Sequence, residues 1–239
     1  MHLLIDFALK DKYTYHEVLG NHFRSEAVPS AVPVPNAHHN ILLWDAYRKN
    51  VWHNMLGPRV HNLYTYMYRI QASYIHREFT AWNHNLEYGN PPPTANLDPN
   101  PITWASFPWQ TKGDWLDQRL VECNDDPQQK TGLDIWLFNV HKDMDEQTVF
   151  NSLDGEAFIV PQIKALDITA EPGEILVKQN EIVVIPRGIK YRVTLLEGKP
   201  CRGYICELYQ GHFRLPELRI IGTTGLANSL DFQIPKAFF

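Results

Sequence analysis

His141 and Asp143 stand two apart just past an apolar run, Leu133 to Val140. On a strand, residues at i and i+2 point the same way, so an imidazole and a carboxylate placed like this could share one metal ion. Thr148 and Gly155 follow, and Asn180, Pro186, Gly188 and Tyr191 form a second group further on. A non-haem Fe(II) oxygenase site typically gathers two histidines and one carboxylate on one face, with open positions for oxygen and substrate. These residues offer one histidine and one aspartate. Thr148 is a poor substitute ligand, and so is Tyr191, whose phenol ordinarily titrates near ~10. No catalytic, cofactor-binding or metal-binding residue is therefore assigned in this chain. The interior is expected to be filled by apolar or tyrosine side chains.

The two groups match the spacings H-x-H-x4-E-x6-G and G-x5-P-x-G-x2-H, which carry metal in jelly rolls of the cupin kind. The turn residues are kept and most of the ligands are not. An independent small cupin enzyme using His141 and Asp143 stays open as a reading. Other histidines add little. His38 and His39 are adjacent and would diverge in an extended segment. His76 is followed by Arg77-Glu78, which gives no HExxH pair. His53, His61 and His84 have no ligand spacing. Glu26, Asp154 and Glu207 have no acid or base partner visible in the sequence. No glycine-rich phosphate loop, Ser-His-Asp order or Cys-x-x-Cys is present.

The elements that would carry these residues are short strands. Leu133 to Val140, Ala157 to Val160, Leu166 to Thr169, Glu174 to Val177, Ile182 to Ile185, Tyr191 to Leu196 and Tyr204 to Tyr209 read as strands. Asp154-Gly155, Pro172-Gly173, Arg187-Gly188 and Gly198-Lys199-Pro200 separate them. This pattern predicts a mainly β fold, an antiparallel β-sandwich or jelly roll of cupin-like type. Tyr64 to Ile70 alternates and predicts a further strand. Leu43, Ala46, Tyr47 and Val51 fall near helical spacing and predict a helix within 42–55. Pro29, Pro33 and Pro35 favour an extended, irregular N-terminal arm. Pro91-Pro92-Pro93 removes three consecutive backbone donors, so 88–101 is expected to be a surface loop. The whole of 1–239 is read as one domain. Residues 1–87 are the arm and first strands, 88–101 the proline-rich loop, and 132–235 the jelly-roll core.

The hydrophobic fraction of 44% supports a packed core, and a net charge of −5 gives no field to attract nucleic acid or an anionic membrane. The opening residues lack the basic leader and cleavage site of a signal peptide, and no apolar run reaches membrane-spanning length. The expected location is the cytoplasm. Cys123, Cys201 and Cys206 are too few for a disulfide scaffold. Cys201 and Cys206 lie five apart, on opposite faces of one strand, and reduced thiols are expected.

Four runs carry a family resemblance: DGEAFIVPQ (154–162), NEIVVIPRG (180–188), RGYICELYQGHFRLPEL (202–218) and GLANSLDFQIP (225–235). With Gly20-Asn21-His22-Phe23, Pro58-Arg59 and Tyr68-Arg69-Ile70 before them, the ordered series resembles homogentisate 1,2-dioxygenase. It departs from that family at Leu218 to Gly222 and at Asn228 to Asp231, where turn glycines and prolines are replaced. The resemblance implies an N-terminal β-sandwich. It also implies Fe(II) as cofactor, homogentisate and O2 as substrates, ring opening to maleylacetoacetate in tyrosine and phenylalanine catabolism, and a trimer-based homo-oligomer. It places the His, Glu, His iron ligands and a catalytic histidine in the segment after this one. The chain is accordingly expected to be a truncated or diverged form, inactive alone. The alternative is a non-enzymatic β-sandwich module that assembles with a full-length relative, its 234–239 tail an apolar strand awaiting cover.

Overall fold

The computed structural model describes residues 12–17, 25–27, 47–48, 68–69, 112–124, 126–214 and 231–237. Its strands are β1 Tyr15–Glu17, β2 Tyr47–Arg48, β3 Tyr68–Arg69, β4 Arg119–Asn124, β5 Leu133–Val140, β6 Glu156–Ile163, β7 Leu166–Ala170, β8 Gly173–Val177, β9 Val183–Ile185, β10 Tyr191–Leu195, β11 Cys201–Leu208 and β12 Gln233–Pro235. The chain forms two compact units, Met1–Tyr13 with Asn83–Arg214, and Thr14–Trp82 with Leu215–Phe239.

In the first unit two antiparallel sheets enclose a core. One has the order β4-β5-β11-β6-β9 and the other β10-β7-β8. This is the mainly β, antiparallel sandwich that the strand spacing predicts. Alternation decides which side chains go inside. On β10, Tyr191, Val193 and Leu195 are buried while Arg192 and Thr194 are not; on β11, Cys201, Gly203 and Ile205 are buried and their neighbours less so. Phe138, Val140, Ile159, Leu166, Ile168, Val177 and Val193 fill the space between, with Trp115 and Met144 supplied by loops. Burying a side chain of this size contributes roughly 1.5–3 kcal/mol.

β5 matches its predicted span, and β6 and β11 run longer than expected. β10 stops at Leu195, where a 3-10 turn over Leu196–Gly198 places Glu197 at φ +54°. β4 is an addition that the sequence reading missed. It joins β5 with a shift in register between Leu120 and Glu122, and that irregularity breaks the clean alternation that would have revealed it.

The second unit holds β1 paired with β12 and β2 paired with β3, both antiparallel. The pair β2–β3 corrects the helix expected within 42–55: Tyr47 and Arg48 are extended and face Arg69 and Tyr68. Approximate helical spacing over a few residues is a weak preference beside an available partner strand. The rest of 42–55, the rest of the 64–70 run, the proline-rich loop and the N-terminal arm lie outside the described residues. In the 234–239 tail, Ile234 faces His16 in the register of β12 with β1. Among the described residues, no helix is long and apolar enough to cross a membrane.

Candidate functional site

The segment between β5 and β6 carries the first group of motif positions, and the stretch from the β8–β9 turn to the start of β10 carries the second. The fold does bring them together, but through backbone pairing. β10 is an edge strand, so the outer N–H and C=O groups of Tyr191, Val193 and Leu195 need partners that no further strand supplies. The β5–β6 connection supplies them in turn. Phe150 and Tyr191 exchange two backbone hydrogen bonds of 2.8 and 2.9 Å. The N–H of Met144 donates to the carbonyl of Val193 at 3.2 Å, and the N–H of Val193 donates to Met144 Sδ at 3.2 Å. The N–H of Leu195 donates to Asp143 Oδ1 at 2.7 Å. The Arg192 guanidinium adds two bonds, of 3.2 and 3.1 Å, to the Met144 carbonyl. The connection thus acts as an irregular outer strand, with Asp143 standing in for one backbone carbonyl.

This arrangement tests Fe(II), the ion implied by the family resemblance, against the donors present. Asp143 is exposed and its Oδ1 is committed to a backbone amide. Tyr191 points the other way, into the core. Only 3% of it is accessible, its ring packed edge-on against Phe150 at 5.4 Å and Trp115 at 6.1 Å. Burial holds its phenol far above the usual range, with a smaller lowering from the Trp115 indole and a raising contribution from the Glu207 charge. A phenol kept neutral in this way does not supply the phenolate a metal would need. His141 and Thr148 are partly buried, and the backbone N–H of His141 is tied to the carbonyl of Gly113 at 2.9 Å. Among the described residues, no group of three or more His, Cys, Asp or Glu is placed to hold a metal ion. The described residues at the motif positions do not fit the ion.

The retained turn residues have backbone explanations. Gly188 has φ +80° and Asn180 φ +65°, the left-handed region that glycine and asparagine tolerate best. Gly155 is needed for space, because a Cβ there would stand 2.5 Å from Glu207 Cγ and 2.9 Å from the Leu208 carbonyl. The motif positions persist as turns and edge contacts. Of the remaining sequence candidates, His38, His39, His53, His61, His76 and His84 lie outside the described residues. Cys123, Cys201 and Cys206 form no disulfide, and burial pushes Cys201 up to about 12.

Sequence reasoning named Glu207 without a partner and missed Asp134 and Glu156, because the partners of all three are distant in the chain. Glu207 accepts a hydrogen bond from Ser152 Oγ, and its cross-strand neighbour is Asp134. Asp134 in turn accepts from the Tyr209 hydroxyl. Glu156, 5% accessible, is paired with His212 Nδ1 and accepts the N–H of Phe213 at 3.0 Å. Only strand register could have revealed these neighbours.

Comparison with known proteins gives a consistent answer. The chain is similar to homogentisate 1,2-dioxygenase of Emericella nidulans, 41% identical over 238 residues, covering 98% of this chain and 52% of the relative. The Caenorhabditis elegans enzyme of that name is 41% identical over 191 residues, covering 77% and 42%. The Drosophila melanogaster one is 35% identical over 241 residues, covering 95% and 53%. The chain spans about half the length of these curated relatives. Similar solved structures include a cupin-2 domain protein of Shewanella frigidimarina, 19% identical with a TM-score of 0.32 over 41% of this chain and 83% of that one. The Schizosaccharomyces pombe Cnp3 cupin domain is 12% identical with a TM-score of 0.34 over 44% and 66%. The sequence profile described as homogentisate 1,2-dioxygenase N-terminal matches residues 14–239, and the chain belongs to that family.

Proposed function

We propose that this chain is the N-terminal β-sandwich of a cytoplasmic, trimer-based enzyme that opens homogentisate with O2 and Fe(II), giving maleylacetoacetate in tyrosine and phenylalanine catabolism. The observation that carries the reading is the family match over residues 14–239, together with 35–41% identity to relatives named homogentisate 1,2-dioxygenase. In this reading the iron ligands belong to the family segment that follows the β-sandwich. Support for that division comes from Asp143 and Tyr191, one bonded to the Leu195 amide and the other sealed in the core.

Oxygen uptake by the purified 239-residue chain with homogentisate and Fe(II) tests the division. The expected result is no turnover above the protein-free rate. Robust consumption, abolished in H141A or D143A, would place the chemistry inside this chain and overturn the reading.

A second reading, a non-enzymatic module that assembles with a full-length relative, rests on the same commitment of the motif residues to structure. Co-purification with a full-length family member separates the two. A stable monomer indifferent to that partner argues against the module.

A further inference from the structure

β9 closes one side of the five-stranded sheet. Its inner edge pairs with β6, and no described residue bonds to its outer edge. Alternation decides which backbone groups face that open edge. The carbonyl of Pro161 accepts the N–H of Asn180 at 2.8 Å, so Pro161 turns its backbone toward β9. Ile159 and Ala157, at alternate positions on β6, turn theirs the same way and meet Val183 and Ile185. The backbone groups of Ile182 and Val184, with the carbonyl of Pro186, therefore point outward. Their side chains are exposed as well. Ile182 is 59% and Val184 39% accessible, with Pro186 exposed beyond them, whereas Val183 and Ile185 are buried. Unpaired backbone beside an apolar stripe is the part of a sheet that takes up a further strand most readily.

We propose that β9 pairs antiparallel with β9 of a second copy of this chain, about a twofold axis through Val184, joining two five-stranded sheets edge to edge. The run Glu181-Ile182-Val183-Val184-Ile185-Pro186-Arg187 is self-complementary about that centre. Val184 meets Val184 of the second copy, and each donates its N–H to the other's carbonyl. Ile182 meets Pro186 of the second copy. The Pro186 carbonyl accepts the Ile182 N–H, and the missing proline N–H leaves only the Ile182 carbonyl to water. The side chains of Ile182, Val184 and Pro186 from both copies then lie on one face and cover one another. Glu181 stands opposite Arg187 at either end. Neither charge is used up within its own chain: Glu181 accepts the Lys178 N–H through Oε2, at 2.7 Å, and Arg187 gives Nη2 to the Gly211 carbonyl at 2.8 Å. A register centred on Val183 would set Glu181 against Ile185, and one centred on Ile185 would set Arg187 against Val183, so the charges select Val184. This symmetry favours a second copy over an unrelated strand. β9 is short and a proline follows it, so the contact falls below the ~1,200 Å² of a standard interface and the dimer forms weakly.

Sedimentation of the full chain over a range of concentrations, with amide hydrogen exchange, tests this. A reversible dimer is expected, with a dissociation constant between about micromolar and millimolar. As the dimer fills, exchange should slow at the Ile182 and Val184 amides and stay unchanged at Val183 and Ile185, which already pair with β6. V184K changes an exposed side chain; it should keep the wild-type Tm and abolish the dimer. E181R should weaken the dimer about tenfold. Opposed Cα atoms at the twofold centre lie about 5.5 Å apart, within disulfide reach. Oxidised V184C should therefore link into dimers, while V149C on the β5–β6 connection and the wild type with its native thiols should not. A chain that stays monomeric at every concentration, with rapid exchange at Ile182 and Val184, would overturn the pairing and leave the edge to a different partner. A dimer that persists in V184K would overturn it too. Protection of Ile182 and Val184 without a V184C link would overturn the register centred on Val184. The exchange arm uses the wild type alone, so it decides even if a variant fails to fold.

Discussion

Asp143 Oδ1 receives the backbone N–H of Leu195 at 2.7 Å, so a residue at a metal-motif position completes the outer edge of β10. Replacing it by alanine removes that acceptor from an edge strand. The expected loss is about 1 kcal/mol, because water can reach the freed amide. D143N keeps an acceptor oxygen and should lose less. Chemical denaturation of the three proteins checks this, and the Leu195 amide should exchange faster with solvent in D143A alone.

Gly203 illustrates a different constraint. A Cβ at this position would lie 2.1 Å from the Val160 carbonyl and 2.4 Å from Phe138 Cζ. The glycine stands beside the register shift between β11 and β6, where the two backbones crowd. G203A must therefore push strands apart or drive the Phe138 ring from its place. A destabilisation of about 1–3 kcal/mol or more is expected from such overpacking. A drop in denaturation midpoint with an unchanged slope would report this loss, whereas wild-type stability would mean that β6 yields more easily than its buried position suggests.

Tyr191 separates packing from ligation. Its ring fills space beside Trp115 and Phe150. Y191F keeps the ring and should stay within about 1 kcal/mol of wild type. Y191A opens a cavity and should lose about 3–5 kcal/mol. Because burial raises the phenol's pKa, its contribution to stability holds below the ordinary value of ~10 and is lost only as pH climbs beyond it. Alkaline ultraviolet titration should accordingly find that the phenolate signal missing from Y191F arises only on unfolding. A Tyr191 phenolate in folded protein at mildly alkaline pH would contradict the packing.

How much of this was readable from residues alone depends on the range of the interactions. Strand positions from Leu133 onward follow from local alternation and from turn residues such as Pro172-Gly173, which act within a few residues. β4 escaped because its bulge interrupts the period. Tyr47 and Arg48 were assigned the wrong state because their partners, Arg69 and Tyr68, are about twenty residues away. The motif spacing points to the β5–β6 connection and to β10, yet their employment as edge contacts could not be read, since Asp143 meets Leu195 only after β10 is placed. The pairing of Glu207 with Asp134 spans still more of the chain and depends on the register of β11 against β5.

A buried acid helps to hold the segment after β11, alongside the Arg187 guanidinium on the Gly211 carbonyl. Glu156 begins β6, and its carboxylate pairs with His212 through Oε1 and accepts the Phe213 N–H through Oε2 at 3.0 Å. Phe213 then packs on Phe158, with ring centroids 5.4 Å apart. Alanine at 156 leaves the Phe213 amide and the His212 ring without this partner, and a loss of about 1–3 kcal/mol is expected. Glutamine preserves an acceptor for one of the two and should fall between alanine and wild type. Because the Phe158–Phe213 contact depends on where the backbone is pinned, E156A should also free the Phe213 ring. Hydrogen exchange at the Phe213 amide and ring-proton shifts of Phe158 report these effects separately. Unchanged exchange in E156A would mean that the ring contact and Arg187 hold the segment, which F158A would then loosen.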